Sequence, residues 1–155
     1  MKDKTKLDEL DCRLTKILQI DGRKSNTALA KELGVTESTV RSRLKRLLSD
    51  GVFRIVAVGN PIKLGFEIVG NLKIKINIKK KDEVLAELKK IDALHYIALT
   101  AGSMDVDVDF IVKSLDELHQ LLFEKVNKIE GIISTETSLI TEIVKDSDDW
   151  GTAWY

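Results

Sequence analysis

The chain has one cysteine, one proline, two histidines and no net charge, and each scarcity removes a class of protein. A single thiol, Cys12, closes no internal disulfide and points to a reducing compartment. It falls in the first expected helix, where a thiol reads as a small buried group. His95 and His119 lie far from it and offer no zinc-ligand spacing. Neither has a serine or cysteine nucleophile pattern around it, so hydrolase chemistry has no support. No catalytic residue, metal or cofactor is therefore expected. There is no run of about 18 apolar residues, so no membrane-spanning helix is expected. The start, MKDKTKLDELD, is charged and lacks the apolar core of a secretion signal. Internal repeats and low-complexity stretches are also missing.

The zero net charge conceals a separation. Residues 1–65 hold 14 Lys+Arg against 8 Asp+Glu, and residues 66–155 hold 11 against 17. A basic half followed by an acidic half suggests two domains with different partners, the first drawn to polyanions.

The basic half contains SNTALAKELGVTESTVRSRLKRLLSDG, residues 25–51. It reads as two short helices joined by a tight turn at Gly34, where a left-handed backbone is cheap only for glycine. Ser25 caps the first of the two and Thr36 the second. Val40, Leu44, Leu47 and Leu48 recur at the spacing of one buried stripe. The opposite face presents Ser38, Ser42, Lys45, Arg46 and Ser49, with Arg41 and Arg43 on the flanks. Short hydroxyls near a helix start, with cations beside and behind them, suit a major groove and its phosphates. The pattern predicts a helix-turn-helix that binds double-stranded DNA. Thr36, Ser38, Thr39, Arg41, Ser42, Arg43, Lys45 and Arg46 are the candidate contacts. Ser38, Arg41 and Ser42 are assigned to base edges; Arg43, Lys45 and Arg46 are assigned to phosphates.

A helix from about Asp8 to Gln19, with Leu10, Leu14, Ile17 and Leu18 inward, completes a three-helix, winged-helix-like unit over residues 1–51. The run VFRIVAV (52–58) predicts an extended linker strand, and Gly59-Asn60-Pro61 a boundary turn, within a linker of 52–65. Residues 66–145 then alternate strand, helix, strand, strand, helix, strand. The alternation at Ile68–Lys79 and Asp105–Val112 marks strands with one wet face, and HYIALT (95–100) and 132–144 complete the set. Helical spacing appears at Val84–Ile91 and Leu115–Ile129. This βαββαβ order predicts an α+β, ferredoxin-like domain with one uncovered sheet face, available to another copy. The tail 146–155 carries Trp150, Trp154 and Tyr155, a composition expected to pack on a neighbouring subunit.

Two motif look-alikes fail on inspection. Asp105 to Asp109 resembles the start of a calcium loop, but Phe110 stands where that loop needs glycine. Gly22 to Ser25 lacks the upstream glycine of a phosphate-binding loop.

From Leu7 to Lys145 the chain resembles the leucine-responsive/asparagine-synthase (Lrp/AsnC, or feast/famine) regulators of bacteria and archaea. The stretches that carry the likeness are LDELDCRLTKILQIDGRKSNTALAKELGVTESTVRSRLKRLLSDGVF, TAGSMDVDVDFIV and GIISTETSLITEIV. The resemblance implies a cytoplasmic, nucleoid-associated regulator. Its heads would bind palindromic DNA as a homodimer, and its second domain would assemble tetramers or octamers and hold an amino acid between subunits. By the same resemblance Gly102, Ser103, Met104 and Asp105 match the family's glycine-x-tyrosine-aspartate loop, and Gly131, Thr135 and Thr137 its glycine-threonine-threonine segment. Loop backbone and threonine hydroxyls would then meet the effector's amino and carboxylate groups. Met104 stands where the family commonly has tyrosine, which changes the expected pocket shape. Two other readings stay open: an enzyme on the same frame, as some relatives decarboxylate modified haems, and an amino-acid sensor whose head no longer binds DNA. Scarce histidine weighs against the first, and the cations of the third helix weigh against the second.

Overall fold

The computed structural model describes residues 6–153. The chain divides into two compact units. One comprises the residues up to Ala57 together with the segment from Val144 onward, and the other is Val58–Ile143.

The first unit holds three helices: α1 (Glu9–Ile20), α2 (Asn26–Leu33) and α3 (Glu37–Ser49). Each begins at the residue that can cap it. Asp8 accepts from the Asp11 N–H, Ser25 from Ala28 and Thr36 from Thr39. At α1 the arrangement is reciprocal, because the Asp11 side chain also accepts from the Asp8 N–H. Gly34, at φ 72°, ends α2 in the left-handed region and lets α3 depart across it. Leu14 and Leu18 of α1, Leu29 and Leu33 of α2, and Val40 and Leu47 of α3 form one core. Leu48, expected in that stripe, is 41% exposed. It lies about 100° around the helix from Leu47, beyond the arc that α1 and α2 cover.

Residues 53–60 have no ladder partner among the described residues, so the strand-forming run 52–58 carries no strand here. β-Branched composition favours an extended backbone, but a strand exists only where a neighbour accepts its hydrogen bonds. A short 3-10 turn, Ile62–Leu64, follows Pro61.

The second unit contains β1 (Ile68–Ile76), α4 (Lys81–Leu88), β2 (Leu94–Leu99), β3 (Val106–Val112), α5 (Leu115–His119) and β4 (Ile132–Leu139). Beyond α5 the helical path widens into a π segment, Gln120–Lys125, and closes with a 3-10 turn, Val126–Lys128. The sheet is antiparallel in the order β2-β3-β1-β4, the arrangement that βαββαβ predicts. Leu72, Ile74 and Ile76 of β1 and Val106, Val108 and Phe110 of β3 bury against Val84, Leu88, Leu118 and Leu121 from the helices. Full burial of each such side chain contributes about 1.5–3 kcal/mol. The last strand stops at Leu139, five residues before the expected end at Val144, where its pairing with Gly70 gives out.

The segment after β4 returns to the first unit. The Gln19 amide of α1 donates to the Gly151 carbonyl at 3.2 Å and accepts from the Gly151 N–H at 3.1 Å. Trp150 beside it is 81% exposed. Trp154 and Tyr155 lie outside the described residues.

Gly70 is the tightest point of the sheet. A Cβ there would stand 2.3 Å from Phe110 Cζ and 2.6 Å from the Ser138 carbonyl oxygen. Glycine is required by the ring crossing it. Gly70→Ala is expected to destabilise the second unit by about 1–3 kcal/mol, through displacement of the Phe110 ring and of the β4 backbone at Ser138. Urea-dependent hydrogen exchange at β1, β3 and β4 measures this, and unchanged protection would mean that both the ring and the β4 backbone give way freely.

Candidate nucleic-acid interface

The start of α3 is a cluster of hydroxyls. Thr36 Oγ1 lies 2.9 Å from Ser38 Oγ and 2.8 Å from Thr39 Oγ1, while it also accepts from the Thr39 N–H at 3.2 Å. Thr36, Ser38, Arg41, Ser42 and Lys45 are exposed, and Thr39 and Arg43 are half-buried. With Val40 and Leu47 fixed inward, Ser38, Ser42, Lys45 and Ser49 form a single outward row.

The four cations of α3 separate into different surroundings. Arg43 and Arg46, three residues apart, both turn to α1. Arg43 bonds Asp11 at 3.0 Å and also pairs with Asp8, and Arg46 pairs with the other Asp11 oxygen. Asp11 has no exposed surface, so these guanidinium groups supply the partners that a buried carboxylate demands. Arg41 lies on the opposite flank, 72% exposed, and donates to Glu37 at 2.9 Å. Lys45 stands in the outward row with no carboxylate partner among the described residues. Of the three residues assigned to phosphates, Arg43 and Arg46 are thus already engaged within the free protein. Sequence spacing placed Arg46 on the outer face; the acidic pair one helix away, Asp8 and Asp11, was the available signal that it turns inward.

Sequence reasoning also passed over Glu37 and Thr27. The Thr27 hydroxyl of α2 donates to Glu37 at 3.0 Å, so Glu37 is bonded on one side by α2 and on the other by Arg41.

In the second unit the segment Gly102–Asp105 connects β2 to β3. Gly102 and Ser103 are exposed, and Met104 and Asp105 half-buried. Thr100 fastens the loop: its N–H donates to the Asp105 carbonyl and its hydroxyl to the Met104 carbonyl, both at 2.9 Å. The Asp105 carboxylate accepts from the Ile76 N–H at 2.9 Å and from Lys75 at 3.0 Å, so it is spent on β1. That N–H, followed by the Lys75 ammonium, holds the Asp105 carboxyl below its ordinary range. Thr135 and Thr137 lie on β4, paired with Ile74 and Leu72. Thr135 is half-buried and donates to Asn127 at 3.4 Å, and Thr137 is exposed. β1 therefore runs between the loop and the threonines, a separation of about 10 Å across two inter-strand spacings. Gly131, at φ 104°, precedes β4 where a Cβ would meet Lys80 and Val84 at 2.9 Å.

Comparison with known proteins agrees with this arrangement. Residues 7–48 match the AsnC-type helix-turn-helix domain, and residues 72–150 the Lrp/AsnC ligand binding domain. An HTH-type transcriptional regulator of Pyrococcus furiosus is 43% identical over 148 residues, covering 95% of this chain and 97% of that one. Escherichia coli AsnC shares the fold with a TM-score of 0.82 at 24% identity, over 92% of this chain and 99% of that one. A Neisseria meningitidis transcriptional regulator solved as an L-Met complex does so with a TM-score of 0.84 at 17% identity, over 92% and 94%. No helix among the described residues is long and apolar enough to cross a membrane.

The Asp8 pair has a pH consequence. The Arg43 guanidinium, with the Asp11 N–H, holds the Asp8 carboxyl below its ordinary value of 3.8. A lowered folded-state value stabilises at pH above 3.8, and the contribution is lost as pH falls through the folded value. Because Asp8 is about half exposed, the effect is below about 1 kcal/mol. Asp8→Asn keeps a competent cap but removes the charge. It is expected to flatten the acid-side loss of amide-exchange protection along α1 between about pH 5 and pH 2. An unchanged acid profile would assign that loss to other carboxylates.

The two domain matches together cover most of the chain, and the hydroxyl-and-cation row of α3 belongs to the first of them; the chain is a member of the Lrp/AsnC family of helix-turn-helix transcriptional regulators.

Proposed function

We propose that this chain is a sequence-specific DNA-binding transcriptional regulator, non-enzymatic and cytoplasmic, whose second domain takes an amino-acid effector between subunits. The observation that carries this reading is the outward row of α3: Ser38, Ser42 and Lys45, flanked by Arg41 and begun by the Thr36–Thr39 hydroxyls. Such a helix enters a major groove with its first turns against base edges. Ser38, Arg41 and Ser42 read bases, while Lys45, Thr36 and Thr39 meet the backbone and set register. Arg43 and Arg46 act at the edge of this surface; Asp8, the more exposed of their partners, is the one a phosphate would displace.

The effector reading rests on the loop and the two threonines. A zwitterion needs donors for its carboxylate and acceptors for its ammonium in one protected place. With Asp105 engaged by Ile76 and Lys75, the loop offers backbone N–H groups of Gly102, Ser103 and Met104, and the threonines offer hydroxyls. β1 stands between the two sets in one chain, which favours a site completed by the loop of one subunit and the strand of another. The L-Met bound to the Neisseria neighbour supports an amino acid as the class. Assembly as a homodimer, and from it a tetramer or octamer, matches both this site and paired half-sites in DNA.

Genomic DNA selection with the purified protein, at a stated salt concentration and with or without a mixture of amino acids, tests the reading. Enrichment of a few inverted-repeat sites that shifts with the mixture is the expected outcome. Salt-sensitive binding with no enriched site would reduce the head to a general polyanion binder. On an enriched site Arg41→Ala is expected to cost about 1–3 kcal/mol with little change on random DNA. Equal weakening on both would assign Arg41 to phosphates. Thr137→Val is expected to abolish the amino-acid shift without altering DNA affinity, and a retained shift would place the effector elsewhere.

A further inference from the structure

Glu37 is an unusual residue to find at the mouth of a DNA-reading helix. Its carboxylate is close to half exposed and would be repelled by phosphates on both strands. It is nevertheless held from two sides: Oε2 accepts from Thr27 of α2, and Oε1 accepts from Arg41 one turn further along α3. The Thr27 contact distinguishes this arrangement from an ordinary ion pair along one helix, because it anchors the carboxylate to a second element. Arg41 is 72% exposed, so among the described residues only Glu37 restricts this long side chain with its several rotatable bonds. Only one nitrogen of the guanidinium, Nη2, is used by Glu37. The remaining N–H groups stay available in their planar fork, the geometry that meets guanine O6 and N7 together.

We infer that Glu37, anchored by Thr27, is a positioning residue that presents Arg41 to a guanine and so sets base preference at one position of the site. This rests on the reading of α3 as the base-contacting helix and adds which base Arg41 takes and what orients it. A carboxylate in this place opposes binding in general while it sharpens binding to one base. Removing its charge therefore moves two quantities in opposite directions. Affinity for random DNA rises, and discrimination at the guanine falls. A residue that mattered only for folding would weaken both.

The test is DNA selection followed by titration on the enriched site, on the same site with that guanine replaced, and on random duplex. The full-length wild type is compared with Glu37→Gln, Arg41→Ala, the double variant, and Thr27→Val. Glu37→Gln is expected to lose about tenfold in discrimination at one guanine while binding random DNA more tightly. In the Arg41→Ala background, Glu37→Gln should cause no further loss of discrimination, the signature of coupled residues. Thr27→Val should reproduce the loss in part without the gain on random DNA, since the charge is kept. The inference is overturned if wild type enriches a site and Glu37→Gln retains its full preference, or if the two losses add. Absence of any enriched site for wild type would instead overturn the reading of α3 itself, and that outcome is distinguishable because it precedes every variant.

Discussion

A carboxylate with no access to water needs every strong acceptor site satisfied, and in the amino-terminal unit that demand falls on Asp11. It accepts from the Asp8 N–H, from Arg43 and from Arg46, so the cap of α1 and two turns of α3 meet at one side chain. Val40 and Leu47 define which side of α3 faces inward, but apolar contact alone leaves the helix some freedom to roll. The charge-assisted bonds are directional and remove much of that freedom. The outward row of Ser38, Ser42 and Lys45 follows from this constraint. So does the isolation of Arg41 on the other flank, where Glu37 takes it.

The arrangement alters how the positive charge of the head is read. Two of four cations on α3 are offset by α1, leaving Arg41 and Lys45 with the hydroxyls as the outward chemistry. A surface so composed relies on hydrogen bonds as much as on bulk charge, which agrees with sequence recognition better than with indiscriminate attachment to polyanions.

In the second unit the corresponding constraint is at the sheet centre. Phe110 crosses Gly70, and Asp105 extends the β1–β3 ladder by offering its side chain to the Ile76 N–H. The loop before β3 is consequently held in shape by β1 and by Thr100. The chain then leaves β4, the strand of Thr135 and Thr137, and meets α1 through Gln19 and Gly151. Covalently, the effector-domain sheet is thus connected to the DNA-binding unit at both of its ends.

Much of this was legible in one dimension. Caps, the Gly34 turn and the inner stripes at Leu14, Leu29 and Val40 are local, because helix start, helix end and helix face are written within a few residues. The alternation at Ile68–Lys79 and Asp105–Val112 declared a half-covered sheet for the same reason, although β1 ends at Ile76 and Ile78–Lys80 turn into a 3-10 helix, and the order of elements left few topologies. The tertiary structure decided what depends on partners remote in sequence. Arg43 and Arg46 are separated by only three residues from each other but by more than thirty from Asp11, so no periodicity announces their pairing. Residues 52–58 have every local mark of a strand and no neighbour among the described residues to pair with. Thr27 and Glu37 meet only once α2 and α3 have packed, and Thr135 and Thr137 are kept apart from the Gly102 loop only once β1 lies between them. Propensity is a property of the residue, whereas a hydrogen bond belongs to two residues, and folding alone decides which two.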